Sequence, residues 1–250
     1  MPLLTQSLVA AESFTHATQP VIATGDGLIL RSWTADDAQD VLEAFADPLI
    51  RRWHVRSADS LAEVRAWIDT WVRAWSAGVA AHWAVAEIGT GRLVGRASLK
   101  NLELEGGQAE VAYWTVPAAR GRAVTPRAIS ALTAWAFETG FHRLELTHSV
   151  ANQRSCRVAA KLGYALEGTK RSAGLHVDGW HDMHLHARIN GGYSAGMSGA
   201  EKDRTTAEVQ EGEADFAGEH SKPTHAEEHP KGAELETDES TPDGHAGMDG

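Results

Sequence analysis

The chain has 250 residues, 34 acidic and 23 basic side chains, a formal net charge of −11 and a single cysteine. One cysteine excludes an intrachain disulfide framework, and the charge balance implies no basic face for nucleic acid. Both charge and core-forming residues are unevenly spread: positions 191–250 carry fifteen acidic against four basic side chains, whereas all nine tryptophans lie between Trp33 and Trp180.

That asymmetry sets the domain reading. Positions 1–20 read as a flexible N-terminal segment, 21–190 as one globular domain with balanced charge, and 191–250 as a disordered acidic tail. The tail has only Tyr193, Met197, Val209, Phe216, Leu235 and Met248 as large apolar side chains, too few to offset the entropy lost on ordering. Blocks of like charge also serve as interaction tails, and its four histidines offer loose metal capture. The start MPLLTQSLVAAESF lacks the basic and long apolar stretches of a signal peptide, and no later run approaches a membrane span. A cytoplasmic protein with no membrane partner is expected.

Leu28, Leu30 and Ser32 alternate with Ile29 and Arg31, which predicts a strand. Thr34-Ala35-Asp36-Asp37 then resembles a capping arrangement, and Ala38, Val41, Leu42 and Phe45 recur at helical spacing until Pro48 ends the run. Ser60-Leu61-Ala62-Glu63 is a capping box opening a second helix, whose stripe is Leu61, Val64, Ile68, Trp71 and Trp75 and whose stop is Gly78. From His82 the period changes to two. HWAVAEI, RLVGRASLKNL and QAEVAYWTV, separated by Gly89-Thr90-Gly91 and Gly106-Gly107, predict an antiparallel meander.

A helix over Ala123 to Thr139 follows, with Ile129, Leu132, Trp135 and Ala136 on its apolar face and Gly140 closing it. The strand FHRLELTHSV comes next, so strand, helix and strand form a parallel, right-handed crossover. Asn152 to Leu162 reads as helix, Gly163 stops it, and YALEGTKRS and GWHDMHLHARI complete the set as strands. The fold class is α/β in the mixed, α+β sense: a central, mostly antiparallel sheet with one parallel β-α-β crossover and flanking helices.

The crossover is an anion site by construction. Trp114 to Thr125 carries a strand into a turn containing Gly121 and then into a helix, so unpaired amides and the positive end of the helix dipole face the turn, with Arg120 and Arg122 beside it. A plain strand-to-helix connection shares this spacing.

Arg120-Gly121-Arg122-Ala123, followed by Asn152-Gln153-Arg154-Ser155 and Lys161-Leu162-Gly163-Tyr164, resembles the GNAT superfamily of N-acetyltransferases, over roughly Ile22 to Asn190. AEVAYWTVP before the turn, with Asn152 and Ser155 after it, looks most like the branch that acetylates protein N-termini, including the alanine or serine termini of ribosomal proteins. The resemblance implies that acetyl-CoA is the acyl donor. Its diphosphate would meet the backbone of Arg120, Gly121, Arg122, Ala123, Val124 and Thr125, and its pantetheine would run beside Trp114, Thr115 and Val116. Asn152 would hydrogen-bond the pantetheine arm, and Arg157 and Lys161 would lie near the phosphates, although a solvated helix face carries the same residue types. The chain departs from the family at Ala123, where glycine is usual, and at Thr125, where glycine or alanine is. Those side chains are tolerable if both positions have helical dihedrals. Arg127 stands where the branch commonly has Glu, and Ala159 where many members have a catalytic Tyr, so a tyrosine acid is not assumed.

Acyl transfer needs a neutral amine, a held electrophile and a proton for the departing thiolate. Glu110 shares a strand face with Ala112 and Trp114 and is the candidate base, the plain alternative being an exposed strand glutamate. Ser155 is implied by the resemblance as the group near the CoA sulfur, against a simple helix cap. Cys156 reads as a buried inert thiol, since direct transfer needs no covalent relay. An α-amino group with pKa ~8 is about 10% neutral at pH 7 and a lysine under about 0.1%. A protein or peptide N-terminus, or a small amine, is therefore the expected acceptor, and a catalytically silent acyl-CoA-binding or sensing domain the alternative. Monomer and homodimer are both compatible. In Trp180 to His186, Asp182, His184 and His186 share a strand face while His181 points away. A wet sheet face or cleft wall accounts for them, and no metal is expected because this chemistry needs none.

Overall fold

The computed structural model describes residues 6–15 and 18–191. The expected tail, apart from Gly191, lies outside the described residues. Helix α1 (Glu12–Thr15) is followed by β1 (Ile22–Ala23), β2 (Leu28–Arg31), α2 (Ala38–Ala46), α3 (Pro48–Arg51) and α4 (Leu61–Ser76). The meander is β3 (Ala81–Glu87), β4 (Leu93–Glu103) and β5 (Gln108–Thr115), and the crossover helix is α5 (Val124–Thr139). Strand β6 (Arg143–Ser149), α6 (Gln153–Lys161), β7 (Ala165–His176) and β8 (Gly179–Ile189) complete the domain. The eight strands among the described residues form one sheet in the order β1-β2-β3-β4-β5-β6-β8-β7.

Local chemistry explains the helix starts. Ser60 accepts a hydrogen bond from the Glu63 amide, and the Glu63 carboxylate reaches back to the Asp59 amide, one residue before the cap. Pro48 ends α2, as expected, but also begins α3: the Asp47 side chain accepts from the Leu49 and Ile50 amides, and proline is pre-shaped for the first helical position.

Strand β3 is buried along nearly its whole length because helices cover both faces of the sheet. Trp83 and Val85 join Leu132, Ile129 and Phe141 under α5. On the other face Trp33, Phe45, Ile68 and Trp114 pack under α2 and α4. Trp83 is completely buried, and its indole N–H donates to the Pro20 carbonyl at 2.9 Å, so its one polar group is satisfied.

The expected flexible start does not extend through the described residues. Val9 and Phe14 are fully buried, and the Leu8 and Val9 amides donate to the Glu105 and Leu104 carbonyls. Phe14 tilts against Trp75 with ring centroids 4.7 Å apart. Two buried apolar side chains among the described residues of this segment leave no periodic pattern in the sequence.

The feature that makes a site is the junction of β5 and β6. These strands run parallel and pair only at Gln108–Arg143, Ala109–Leu144 and Glu110–Glu145. Beyond Glu110 they part: β5 continues on β4 as far as Thr115, while β6 continues on β8 as far as Ser149. Each strand keeps one unpaired edge, and the two edges face a widening gap.

Candidate active site

The gap opens into a cleft of about 860 Å³. At its mouth is the turn joining β5 to α5. Gly121 has φ +79° and Ala123 has φ +55°, both left-handed, and Ala123 is the N-cap of α5 without a side-chain cap bond. Among the described residues the amides of 121–125 donate no hydrogen bond. A run of unsatisfied donors at the positive end of a sixteen-residue helix attracts an anion strongly.

The expectation of helical dihedrals holds at Thr125, inside α5, and fails at Ala123, which adopts the conformation that glycine accepts without cost. A left-handed alanine costs roughly 1–2 kcal/mol, partly offset by the greater entropy glycine has when unfolded. Ala123→Gly is therefore expected to stabilise the protein by about 0.5–1 kcal/mol, seen as a higher thermal midpoint by calorimetry.

Trp114, Thr115, Arg120, Gly121, Ala123, Val124 and Thr125 all line the cleft. The Thr115 and Thr125 hydroxyls meet at 2.7 Å, tying the end of β5 to the first turn of α5. The Arg120 guanidinium makes two bonds to Asp47, at 2.8 and 3.1 Å, fastening the turn to the start of α3. That hydrogen bond from Arg120, helped by the Ile50 and Leu49 amides, holds the Asp47 carboxyl below its usual value. Arg122 turns away from the cleft to Glu87 at 2.6 Å, where Arg92 and Arg122 together hold the Glu87 carboxyl down at about 2. Val116 packs between the two hydrophobic clusters and also lies outside the lining.

Helix α6 forms the second wall. Its N-cap, Asn152, accepts from the Ser155 amide at 3.2 Å, and Asn152, Ser155 and Arg157 all line the cleft. Lys161 sits at the exposed end of α6, outside the lining. Glu110 is outside it too: its carboxylate accepts from Lys100 Nζ at 3.1 Å and Asn101 Nδ2 at 3.0 Å.

Several lining residues were not anticipated. Tyr113 is adjacent to Trp114 on β5 and so lies on the opposite pleat face. Burial pushes its hydroxyl up to about 12 despite Ser155 beside it, and that hydroxyl makes no fully formed hydrogen bond. Across the cleft, the residues after α3 contribute Trp53 and His54. His54 Nδ1 lies 2.7 Å from the Ile50 carbonyl, which can only accept, so Nδ1 carries the hydrogen and Nε2 presents a lone pair. Burial lowers His54 to about 4, so the ring is neutral at pH 7. That His54 and Tyr113 line one cleft depends on elements far apart in the chain and has no local sequence signal. Nearby, Arg96 lies over the Trp71 ring at 5.1 Å and has no carboxylate partner among the described residues.

Residues 27–165 match the acetyltransferase (GNAT) domain family, more than half of the chain. The protein belongs to that family. As a GNAT protein it is 34% identical over 92 residues to YdaF of Bacillus subtilis, a proposed ribosomal N-acetyltransferase, covering 36% of this chain and 50% of that one. It is 31% identical over 98 residues to the ribosomal-protein-serine acetyltransferase of Escherichia coli, covering 39% of this chain and 55% of that one. These alignments thus span about half the length of each relative. Among solved structures, RimL, a ribosomal L7/L12 alpha-N-protein acetyltransferase in complex with coenzyme A, superposes with a TM-score of 0.63 at 20% identity, covering 68% of this chain and 98% of that one. The GNAT fold is the mixed sheet and flanking helices expected from the sequence, and no helix among the described residues is long and apolar enough to cross a membrane.

Proposed function

We propose that the protein transfers an acetyl group from acetyl-CoA to a primary amine, an α-amino group at a protein or peptide N-terminus being the preferred acceptor, by direct attack within the cleft. The observation that carries this reading is the uncapped α5 N-terminus at the mouth of the β5–β6 gap. A diphosphate fits the run of free amides at 121–125, and an extended amide-bearing arm fits between two strand edges that lack partners. Asn152, Trp114, Thr115 and Arg157 all line the cleft; in this reading the first three flank that arm and Arg157 meets a further phosphate. Arg122 and Lys161 would have to swing in from outside the lining. The relatives named for ribosomal proteins support a protein N-terminus as acceptor and a cytoplasmic site of action.

The proton balance is simple. The ammonium form of the acceptor loses a proton before it attacks, the tetrahedral intermediate then carries a protonated nitrogen, and that proton leaves with the thiolate when the C–S bond breaks. Tyr113 is a poor acid for this step. Its pKa of about 12 lies ~3.5 units above a thiol near 8.5, an uphill transfer of about 5 kcal/mol. It serves as a neutral donor, while Ser155, at the cleft surface, passes the proton from nitrogen to sulfur. Glu110, on the same strand face as Trp114, receives the first proton through water once Lys100 releases it.

Because an α-amine is already about 10% neutral at pH 7, loss of the base is worth only about tenfold there. Glu110→Gln is expected to lower kcat/KM about tenfold at pH 7 and little at pH 9. A fall equal at both pH values would remove Glu110 from the base role. Thiol release from acetyl-CoA with a panel of Ser- and Ala-starting peptides and small amines, with products identified by mass spectrometry, tests the whole assignment. Tight coenzyme A binding with no acetylated product from any amine would make the protein an acyl-CoA sensor instead.

A further inference from the structure

Behind the Ser155 wall, four potential metal ligands converge. His148 on β6 and His184 on β8 are paired across the antiparallel ladder, and His186, two residues on, shares their face. Cys156 comes from the first turn of α6, which lies against β6. One ligand atom from each of His148, Cys156, His184 and His186 lies within 4.8 Å of every other. Asp182, on the same strand face, is not part of the group and accepts from the Ser172 amide. His181 is turned to the Ser149 hydroxyl.

The hydrogen bonds around the rings decide what this group is suited to. His148 Nδ1 lies 2.8 Å from the Ser149 carbonyl, and His186 Nδ1 lies 3.3 Å from the Tyr164 carbonyl. A carbonyl only accepts, so both rings carry their hydrogen on Nδ1. Their Nε2 atoms, 3.2 Å apart, then face each other as two lone pairs with no hydrogen between them. Neutral, this contact is repulsive; a cation between the rings resolves it. The arrangement is also the usual outer shell of a metal-binding histidine, whose second nitrogen donates to a carbonyl that fixes tautomer and ring orientation. His184 adds a buried Nδ1 with no partner, and Cys156 adds a free thiol.

We propose that His148, Cys156, His184 and His186 form a tetrahedral site for a divalent zinc ion. Three imidazoles and one thiolate are a donor set that zinc prefers, and tetrahedral Zn–N and Zn–S bonds of ~2.0–2.3 Å place ligand atoms about 3.3–3.7 Å apart. The His148–His186 separation of 3.2 Å already matches one edge of that tetrahedron, and small side-chain rotations bring in the rest. On binding, the Cys156 thiol gives its proton to solvent, and the ion takes the thiolate. The site would lock the first turn of α6, with Asn152 and Ser155, onto β6 and β8, and so hold one wall of the cleft in place.

Cys156 is the chain's only cysteine, which makes the test clean. The full-length protein, stripped with chelator and dialysed, is titrated with cobalt(II). The expected result is one ion bound with a thiolate-to-cobalt charge-transfer band and tetrahedral visible bands, all displaced by zinc. Cys156→Ser should abolish the charge-transfer band, and Cys156→Ser and His148→Gln should each weaken zinc binding on the order of 100-fold, with far-ultraviolet circular dichroism confirming the fold. Absence of the thiolate band in the wild-type protein overturns the proposal whatever the variants do. So does equal zinc affinity in wild type and Cys156→Ser, because the ion would then sit on the histidines at 220, 225, 229 and 245, which bring no sulfur.

Discussion

Ala123→Asp is expected to cost the protein roughly 30- to 1000-fold in affinity for coenzyme A while leaving its thermal stability unchanged or raised. The two effects have one cause. The unsatisfied amides of 121–125 and the α5 dipole attract negative charge, and a carboxylate at the N-cap supplies it from within. Aspartate tolerates the left-handed conformation at this position, φ +55°, better than alanine does. The stabilisation is about 0.3–1 kcal/mol. A bound diphosphate would meet that carboxylate at close range in a partly buried turn, where repulsion is on the order of 2–4 kcal/mol, which sets the predicted loss of affinity. Isothermal calorimetry with coenzyme A and thermal unfolding on the same sample check both signs. Ala123→Asn, alike in shape but neutral, should keep wild-type affinity within a few fold. Retention of affinity in the aspartate variant would remove the diphosphate from this turn.

Acid should unfold the protein steeply between pH 6 and pH 4. His54 and His82 are held down at about 4 and about 3, in both cases first by burial, then by the Arg96 and Lys100 charges, from an unperturbed 6.5. His82 is also tied to the Ser98 hydroxyl at 2.8 Å. Because the folded pKa values are depressed, the unfolded chain takes up protons below pH 6.5 that the native state refuses. The stability these neutral rings contribute is therefore complete above pH 6.5 and is lost as pH falls towards 4 and 3. Each group adds about 1.4 kcal/mol per pH unit within its window, so the pair gives about 2.7 kcal/mol per unit, and two units approach the whole stability of a typical domain. Urea midpoints at pH 7, 6 and 5 should show that slope. His82→Gln should flatten it by about half, and an unchanged slope in that variant would exclude His82 as a source.

Much of this architecture was legible because each element carries its own signal. The period-two runs from His82 to Val116 became β3, β4 and β5, and the Ser60 and Gly140 signals bound α4 and α5. What escaped depends on pairing between distant positions. Residues 8–14 are ordered by contacts with Glu105, Leu104 and Trp75, none of which leaves a mark on the segment itself. The short β1 exists because two residues pair with β2. The turn after β5 was placed correctly from its composition, but the left-handed φ of Ala123 was not, since alanine gives no hint of it. The sequence places the charges of Arg120 and Arg122 beside the turn but gives no sign of their carboxylate partners, Asp47 and Glu87, 73 and 35 positions away. His148 seemed an ordinary strand residue until the β6–β8 register set it beside His184 and His186.

The narrow contact between β5 and β6 has a mechanical consequence. Only three residue pairs stitch the two halves of the sheet together at that joint. An occupant lying in the gap and bonding to both edges would work as a keystone, replacing the missing rungs and making the halves move as one. Cargo and architecture are then coupled: the donor would complete the scaffold that presents it, and the loaded state would be the stiffer one.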